Sequence, residues 1–486
     1  MSSLKEKGIE AFIWDFFGKI LIYGSSFIVT IVLARLLTPV DFGIIAILMA
    51  IIGIASILFD IGLAGALIQR KRVLDIHYSS VFYFNIVVGF LLTLLMYIFA
   101  SSIAEFFNNS ALESYLESIS IIFTLIAFHT VQTVILKRDL NYKQLTKLNF
   151  MASLSSGILG VTLAFFGFGI WSLILQVLFR EVTYNLVIWR LSLWKPTLTF
   201  SLKALKQLWN YGFHIFLAQV LNTVYEKLDY MIIAKLFPAA TLGYFHQAKQ
   251  LNSLAITYFS SSLMSVLFPL LSKIQYDTVR FQAVVINILS VVAVVTFFIL
   301  GELYLIADEF VILLLGDQWG ESIYYFKLFI LSAFAYPISA LMVDVLKSRG
   351  KSKEFLKLEI YKIMIIFSNL YVLYAFGIEM FLYSLIVTST LATLLNIKFA
   401  VDEIKLSMLS IIKPIVIEMI LTIAIVFLVS YLVSGLSDYF IVLMLAKGLL
   451  FLILYILTHW LLKIKSFEYM KEEYKNFREK RRAYDK

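Results

Sequence analysis

Arg180 lies on an apolar stretch one helical turn from both Gln176 and Thr183, with Glu181 beside it. A guanidinium offers several N–H donors in a planar fork, a geometry suited to anionic groups. Similar polar positions recur at helical spacing elsewhere. Gln219, Asn222, Thr223, Glu226 and Tyr230 form one stripe on an otherwise apolar stretch, flanked by Lys227 and Asp229. His246, Lys249 and Ser253 share a face, with Gln247 and Gln250 nearby. Lys19, Tyr23, Ser26 and Thr30 form a further stripe. Together these residues supply cations for an anionic group and amides, hydroxyls and aromatic faces for a polar ligand. Each has a structural alternative. Lys227 can be neutralised by Glu226 or Asp229, Lys249 can snorkel to an interface, and Arg180 can pair with a carboxylate on another helix, such as Asp60. Lys19 near a cytoplasmic end can serve membrane orientation alone.

The elements that carry these residues are membrane spans. Of 486 residues, 61% are hydrophobic and 15% charged, whereas soluble chains average about 25% charged residues. The excess apolar surface must face a solvent other than water. Spans of roughly 20 residues are expected near 17–36, 43–68, 80–100, 116–136, 148–167, 170–190, 211–236, 243–271, 282–306, 322–346, 358–376, 380–400, 411–433 and 439–462. Two pairs are joined by tight glycine turns, at 166–169 and 376–377. The apolar stretch up to Leu37 reads as a retained first span rather than a cleaved signal.

Charge placement tests the count. With a cytoplasmic N-terminus, most of the 41 Lys and Arg residues fall in internal segments, the positive-inside bias. The external connections carry Glu105, Glu113, Asp317, Glu379 and Asp438 instead. Omitting one span would invert every later loop and destroy the agreement. The expected class is therefore an all-α integral membrane protein with about fourteen spans and both termini cytoplasmic. The external loops are too short for a folded domain. The tail from 463 to 486 reads as a charged surface helix.

An internal repeat refines this. Ala34-Arg35-Leu36-Leu37 before Gly43 corresponds to Ala234-Lys235-Leu236-Phe237 before Gly243. Both copies start in the cytoplasm, which predicts a parallel repeat about the membrane normal. The expected organisation is an N-lobe over 1–206, a C-lobe over 207–405, each of six spans, two extra helices over 406–462, and the basic tail over 463–486.

Several segments carry a family resemblance. Phe59-Asp60-Ile61-Gly62-Leu63, followed by Ala66-Leu67-Ile68-Gln69-Arg70, resembles polysaccharide exporters of the Wzx/WzxC type. These belong to the MOP (multidrug/oligosaccharidyl-lipid/polysaccharide) superfamily, with MurJ and the MATE pumps. Leu228-Asp229-Tyr230 with Leu242-Gly243-Tyr244, Leu267-Phe268-Pro269, Leu315-Gly316-Asp317-Gln318-Trp319 and Val345-Leu346-Lys347 with Arg349-Gly350-Lys351 follow in order, up to about residue 360. The chain departs from the family at Phe245-His246-Gln247, where a Tyr-polar-basic run is usual.

The resemblance implies an alternating-access flippase. It would move undecaprenyl-diphosphate-linked oligosaccharide units across a bacterial inner membrane, for O-antigen, capsule or exopolysaccharide assembly. It implies a lipid-linked oligosaccharide, membrane lipids and other assembly proteins as partners. Arg180, Lys227, Lys249, Lys19, Gln219, Asn222, Glu226, Gln247 and Gln250 are then the substrate-binding candidates, and Asp60 and Asp229 the candidates for ion coupling or ion pairing. Asp344, Glu418 and Lys447 receive no role. No nucleotide loop, nucleophile elbow or metal-ligand pair is visible, and cysteine is absent. That reading expects no enzyme activity, no cofactor and no nucleic acid or nucleotide partner. Energy would come from Na+ or H+, or from consumption of product outside. Three alternatives stand beside it: a MATE-like ion-coupled drug exporter, a membrane glycan polymerase, ligase or acyltransferase, and a scaffold.

Overall fold

The computed structural model describes residues 4–59, 62–70, 72–435, 439–464 and 467. Asp60, Asp438 and nearly all of the tail expected at 463–486 lie outside them. Among the described residues every regular element is helical, and ten helices are long and apolar enough to cross a membrane. The chain is a multi-pass, all-α membrane protein. It divides into two compact units, 1–243 and 244–486.

In the N-terminal unit the order is α1 (Leu4–Leu36), α2 (Pro39–Ile57), α3 (Leu63–Gln69), α4 (Asp75–Phe106), α5 (Ala111–Ile119), α6 (Ile122–Arg138), α7 (Tyr142–Phe165), α8 (Ile170–Leu191) and α9 (Leu202–Leu236). Local chemistry sets several starts. Thr38 and Asp41 form a reciprocal capping box at α2, with Pro39 in the first turn. Asn141 caps α7 and Ser201 caps α9. The expected second span is interrupted: α2 ends at Ile57, and α3 restarts after Gly62, whose φ of 73° is left-handed. The expected turn at 166–169 carries Gly167 and Gly169, both at positive φ.

Small residues draw α1, α7 and α8 together. A Cβ at Gly157 would fall 2.6 Å from Val29, and one at Gly160 would fall 2.7 Å from the Gln176 amide. Close approach through small residues replaces hydrophobic driving force between helices in lipid. Large apolar side chains point outward instead: Phe165 is 76% exposed and Phe427 is 73% exposed.

The C-terminal unit contains most of α10 (Ala239–Lys273), then α11 (Thr278–Leu305), α12 (Ala307–Leu315), α13 (Gly320–Ala333), α14 (Ala335–Ser348), α15 (Ser352–Ile404), α16 (Met408–Val433) and α17 (Phe440–Leu461). α15 is not one rod. Gly377 has φ 85° and ψ −179°. Asn369 Nδ2 donates to Thr388 Oγ1 at 2.6 Å, although 19 residues separate them. A continuous helix would hold them about 28 Å apart. The chain therefore doubles back at Gly377, at the turn expected between spans 358–376 and 380–400. Ser384 Oγ also donates to Asn369 Oδ1 at 2.9 Å.

α16 and α17 are fastened to α11 by polar groups. His459 Nε2 lies 2.8 Å from Glu418 Oε2, and the Tyr455 hydroxyl lies 3.1 Å from the same oxygen and 2.9 Å from the Val294 carbonyl. His459 Nδ1 donates to the Tyr455 carbonyl at 2.7 Å. With Nδ1 protonated, the contact between Nε2 and the carboxyl group must contain one further proton.

Candidate functional site

The N-terminal unit encloses a cavity of about 700 Å³, lined chiefly by α1, α6, α7 and α8. Each of these helices turns a polar stripe toward it. α6 gives His129, Thr133 and Lys137 at four-residue spacing; α7 gives Tyr142, Thr146 and Asn149; α8 gives Arg180, Glu181 and Tyr184; α1 gives Lys19 and Tyr23. Phe59 and Ala64, on either side of the α2–α3 interruption, complete the wall.

A charged cluster organises the cavity. Glu181 is 7% exposed. Its Oε1 accepts from Arg180 Nη1 at 2.7 Å, and its Oε2 lies 2.9 Å from His129 Nε2 on α6. Arg180 also reaches Asn149 Oδ1 at 3.4 Å. Glu181 is thereby neutralised, while the Arg180 side chain stays 44% exposed. The His129 ring packs on Tyr184, with centroids 4.5 Å apart, and Tyr184 bonds Thr133 at 3.1 Å. These contacts fix the rotamers around Arg180 and leave its outer edge toward the cavity.

The lining contains three cations, Lys19, Lys137 and Arg180, against one carboxylate, Glu181. The surplus is positive. Tyr23, Tyr142 and Tyr184 supply aromatic faces, and Thr130, Thr133 and Asn149 supply hydroxyl and amide groups. Such a surface can hold an anion and a polyhydroxylated group side by side. The described residues contain no cluster of three or more His, Asp or Glu able to hold a metal.

The sequence candidates divide. Arg180 and Lys19 line the cavity. Arg180 pairs with its own neighbour Glu181 rather than with a distant carboxylate. Glu226, Lys227 and Asp229 lie on α9, outside this lining. The Lys227 ammonium is 5.6 Å from the Tyr230 ring centre, and its stem passes close to Gly53 of α2. Asp229 is buried, and one of its oxygens accepts from the Tyr230 amide at 2.8 Å. The side chains of Gln219 and Asn222 lie outside the described ones. Gln247, Lys249 and Gln250 belong to the C-terminal unit. There Gln247 is buried, and Lys249 stacks 5.4 Å above Phe245.

Several lining residues carry no role in the sequence reading, among them His129, Lys137, Asn149 and Tyr184. The signal was present as the four-residue spacing His129–Thr133–Lys137 and the run Tyr142–Thr146–Asn149. Two of the expected unassigned charges are paired in the C-terminal unit: Glu418 with His459, and Lys447 with Glu309 at 2.5 Å.

Comparison with known proteins agrees with this architecture. Residues 32–324, more than half of the chain, match the family model described as polysaccharide biosynthesis protein. The chain is 24% identical over 347 residues to the lipopolysaccharide biosynthesis protein WzxC of Escherichia coli K12, covering 70% of each. It is 23% identical to the succinoglycan biosynthesis transport protein ExoT of Rhizobium meliloti 1021, covering 68% of this chain and 64% of that one. Its fold matches the lipid II flippase MurJ in an inward closed conformation, with a TM-score of 0.71 at 16% identity over 93% of this chain and 99% of that one. A chain of apolar helices with a cation-lined cavity, matched over residues 32–324 to one family model and in fold to MurJ, thus belongs to the polysaccharide biosynthesis protein family.

Proposed function

We propose that the protein is a transporter, a flippase for oligosaccharide units linked to a polyprenyl diphosphate, and that the cavity of the N-terminal unit receives the diphosphate and the first sugars. The observation that carries this reading is the charge balance of the lining, three cations against one carboxylate. A cationic drug would meet a repulsive surface there. The names of the relatives, which speak of lipopolysaccharide biosynthesis and of succinoglycan transport, support a glycan cargo.

In the proposed orientation both termini are cytoplasmic, about fourteen spans cross the inner membrane of a bacterium, and the halves form a parallel repeat. Lys137 and Tyr142 then lie at the cytoplasmic ends of α6 and α7, Lys19 near the start of the apolar span Phe17–Leu36 within α1, and Arg180 midway along α8. The cations form a path from the cytoplasmic face toward the membrane centre. Lys19 and Lys137 capture the diphosphate, and Arg180 binds it deeper, where water no longer screens the attraction. Tyrosine faces and hydroxyls hold the sugar. Reorientation of the transporter then exposes the unit on the other side, where polysaccharide-assembly proteins consume it.

Deleting the gene tests the reading. The account expects lipid-linked oligosaccharide units to accumulate and surface glycan to disappear, with both restored by the wild-type gene. Intact surface glycan together with increased drug sensitivity would replace this reading with a drug exporter.

A further inference from the structure

The connector that leaves α8 and enters α9 carries large apolar side chains that the described residues leave uncovered. Over 192–201 the backbone is not helical. Leu193 is 101% exposed, Leu198 97% and Leu202 73%, and Phe200 is exposed as well. Lipid-facing backbone outside a helix does not occur within the hydrocarbon layer, where its N–H and C=O groups would go unsatisfied. The connector therefore runs along the membrane surface. A row of bare apolar side chains at that level marks a surface made for contact with lipid or protein.

The connector is held in place from inside. The Thr197 N–H donates to Ser79 Oγ at 3.0 Å, and the Ser201 N–H donates to Ser80 Oγ at 2.9 Å. Both serines belong to α4 and are fully buried. Trp194 packs edge-on against Tyr78 and Phe82, with ring centres 6.0 Å apart in each case. Trp189, near the end of α8, packs on the same Phe82 at 5.9 Å. Trp189 also lines a cavity of about 410 Å³, together with Asn185, Leu186 and Arg190 of α8 and Leu125 and Phe128 of α6. Phe82 thus places this cavity and the connector side by side. Paired tryptophans at such a level are typical of the membrane–water interface.

The charge along this stretch is of one sign. Arg190, Lys195, Lys203 and Lys206 are all exposed, and no Asp or Glu occurs over 182–225. Arg70 adds a further cation, donating from Nη2 to Gln207 Oε1 at 2.7 Å. Along the connector the cations are interleaved with the bare leucines. The centre of a protein–protein contact is depleted in lysine. Lysines interleaved with bulky apolar side chains fit an anionic leaflet instead, with phosphates above and acyl chains below. We infer that the connector 192–206, with Arg190 and the cavity beside Trp189, is a binding surface for anionic phospholipid. The cations hold the phosphates, and Leu193, Leu198, Phe200 and Leu202 enter the acyl layer. The choice of the cytoplasmic leaflet rests on the orientation given above; the binding of lipid rests neither on that nor on the transport reading. Lipid bound there holds the start of α9 against α4.

The chain contains no cysteine, so a spin label attached at Leu198→Cys reports one place in the full-length protein. Nanodiscs of phosphatidylcholine, with and without phosphatidylglycerol and free of glycan, give the two surfaces to compare. Collision of the label with O2, against collision with a water-soluble nickel chelate, reads its depth. The expected result is a label within the acyl layer when phosphatidylglycerol is present, and a shallower one without it. Lys195→Gln, Lys203→Gln and Lys206→Gln together should abolish that difference and weaken phosphatidylglycerol binding about fivefold per lysine removed. The corresponding triple arginine variant should retain both, which separates charge from folding. A label open to the nickel chelate in both nanodiscs would overturn the inference and assign the apolar row to a protein partner. Equal depth in the two nanodiscs would overturn the preference for anionic lipid.

Discussion

His129 Nε2 on α6 lies 2.9 Å from Glu181 Oε2 on α8, and the other oxygen of that carboxylate accepts from Arg180. The bond joins two helices that share no local sequence, and it decides which way Arg180 faces. Glu181 accepts from both neighbours at once, so the histidine is held as a donor at Nε2. Glu181→Leu removes the acceptor and frees Arg180 to turn. Its expected cost is about 1–2 kcal/mol of stability in detergent. His129→Gln retains a donor and is expected to be milder than His129→Leu. In a double-mutant cycle, His129→Leu with Glu181→Leu should be no worse than the more severe single variant. Simple additivity of the two losses would show that the pair does not act as a unit.

The hairpin in α15 rests on one backbone conformation and one amide. At Gly377 a φ of 85° is accessible to glycine and strained for other residues. Gly377→Val should cost about 1–3 kcal/mol, read as lowered thermal stability of the purified protein. Asn369→Leu removes bonds to Thr388 and Ser384 across the hairpin, at an expected cost of about 0.6–2 kcal/mol. If both variants melt with the wild type, the hairpin is held by apolar packing and these polar contacts are incidental.

The Glu418–His459 pair makes a sharper prediction. Because Nδ1 of His459 donates to a backbone carbonyl, Nε2 is an acceptor in the neutral ring. Glu418→Gln then supplies an N–H where the pair held a proton, and it should be tolerated. Glu418→Leu leaves His459 Nε2 and the Tyr455 hydroxyl facing an apolar group, and should cost about 1–3 kcal/mol. Limited proteolysis of the α16–α17 connection reads the difference, with faster cleavage in the leucine variant only. Equal protection in both variants would mean that α16 and α17 are held by packing alone.

Much of the fold was legible because lipid imposes a coarse requirement. Helices such as Asp75–Phe106 and Thr278–Leu305 are runs of apolar residues too long for a small soluble core. The glycine turns at 166–169 and at 377 were readable for the same reason, since an apolar run of twice the necessary length must turn somewhere. The interruption between Ile57 and Leu63 was not expected, because the run 43–68 is apolar on both sides of it; Asp60 and Gly62 mark the place in the sequence. Within the site, Arg180 stood out by its cost at membrane depth. His129 did not, because its significance comes from Glu181, 52 residues away on another helix. Periodicity assigns residues to a face of their own helix. It does not say which face of another helix lies opposite, and that is why the stripe on α9 was singled out although the unremarked stripe on α6 lines this cavity.

The central claim is that the cation-lined cavity carries a diphosphate-linked glycan across the bilayer. Reconstitution of the purified protein into liposomes containing a polyprenyl-diphosphate oligosaccharide, with enzymatic probing of the glycan exposed on the outer leaflet, tests it most directly. The account predicts transfer well above empty liposomes, and a reduction of about 10–100-fold in Arg180→Ala, with Arg180→Lys between the two. Transfer no faster than in empty liposomes, or equal transfer by wild type and Arg180→Ala, would contradict it.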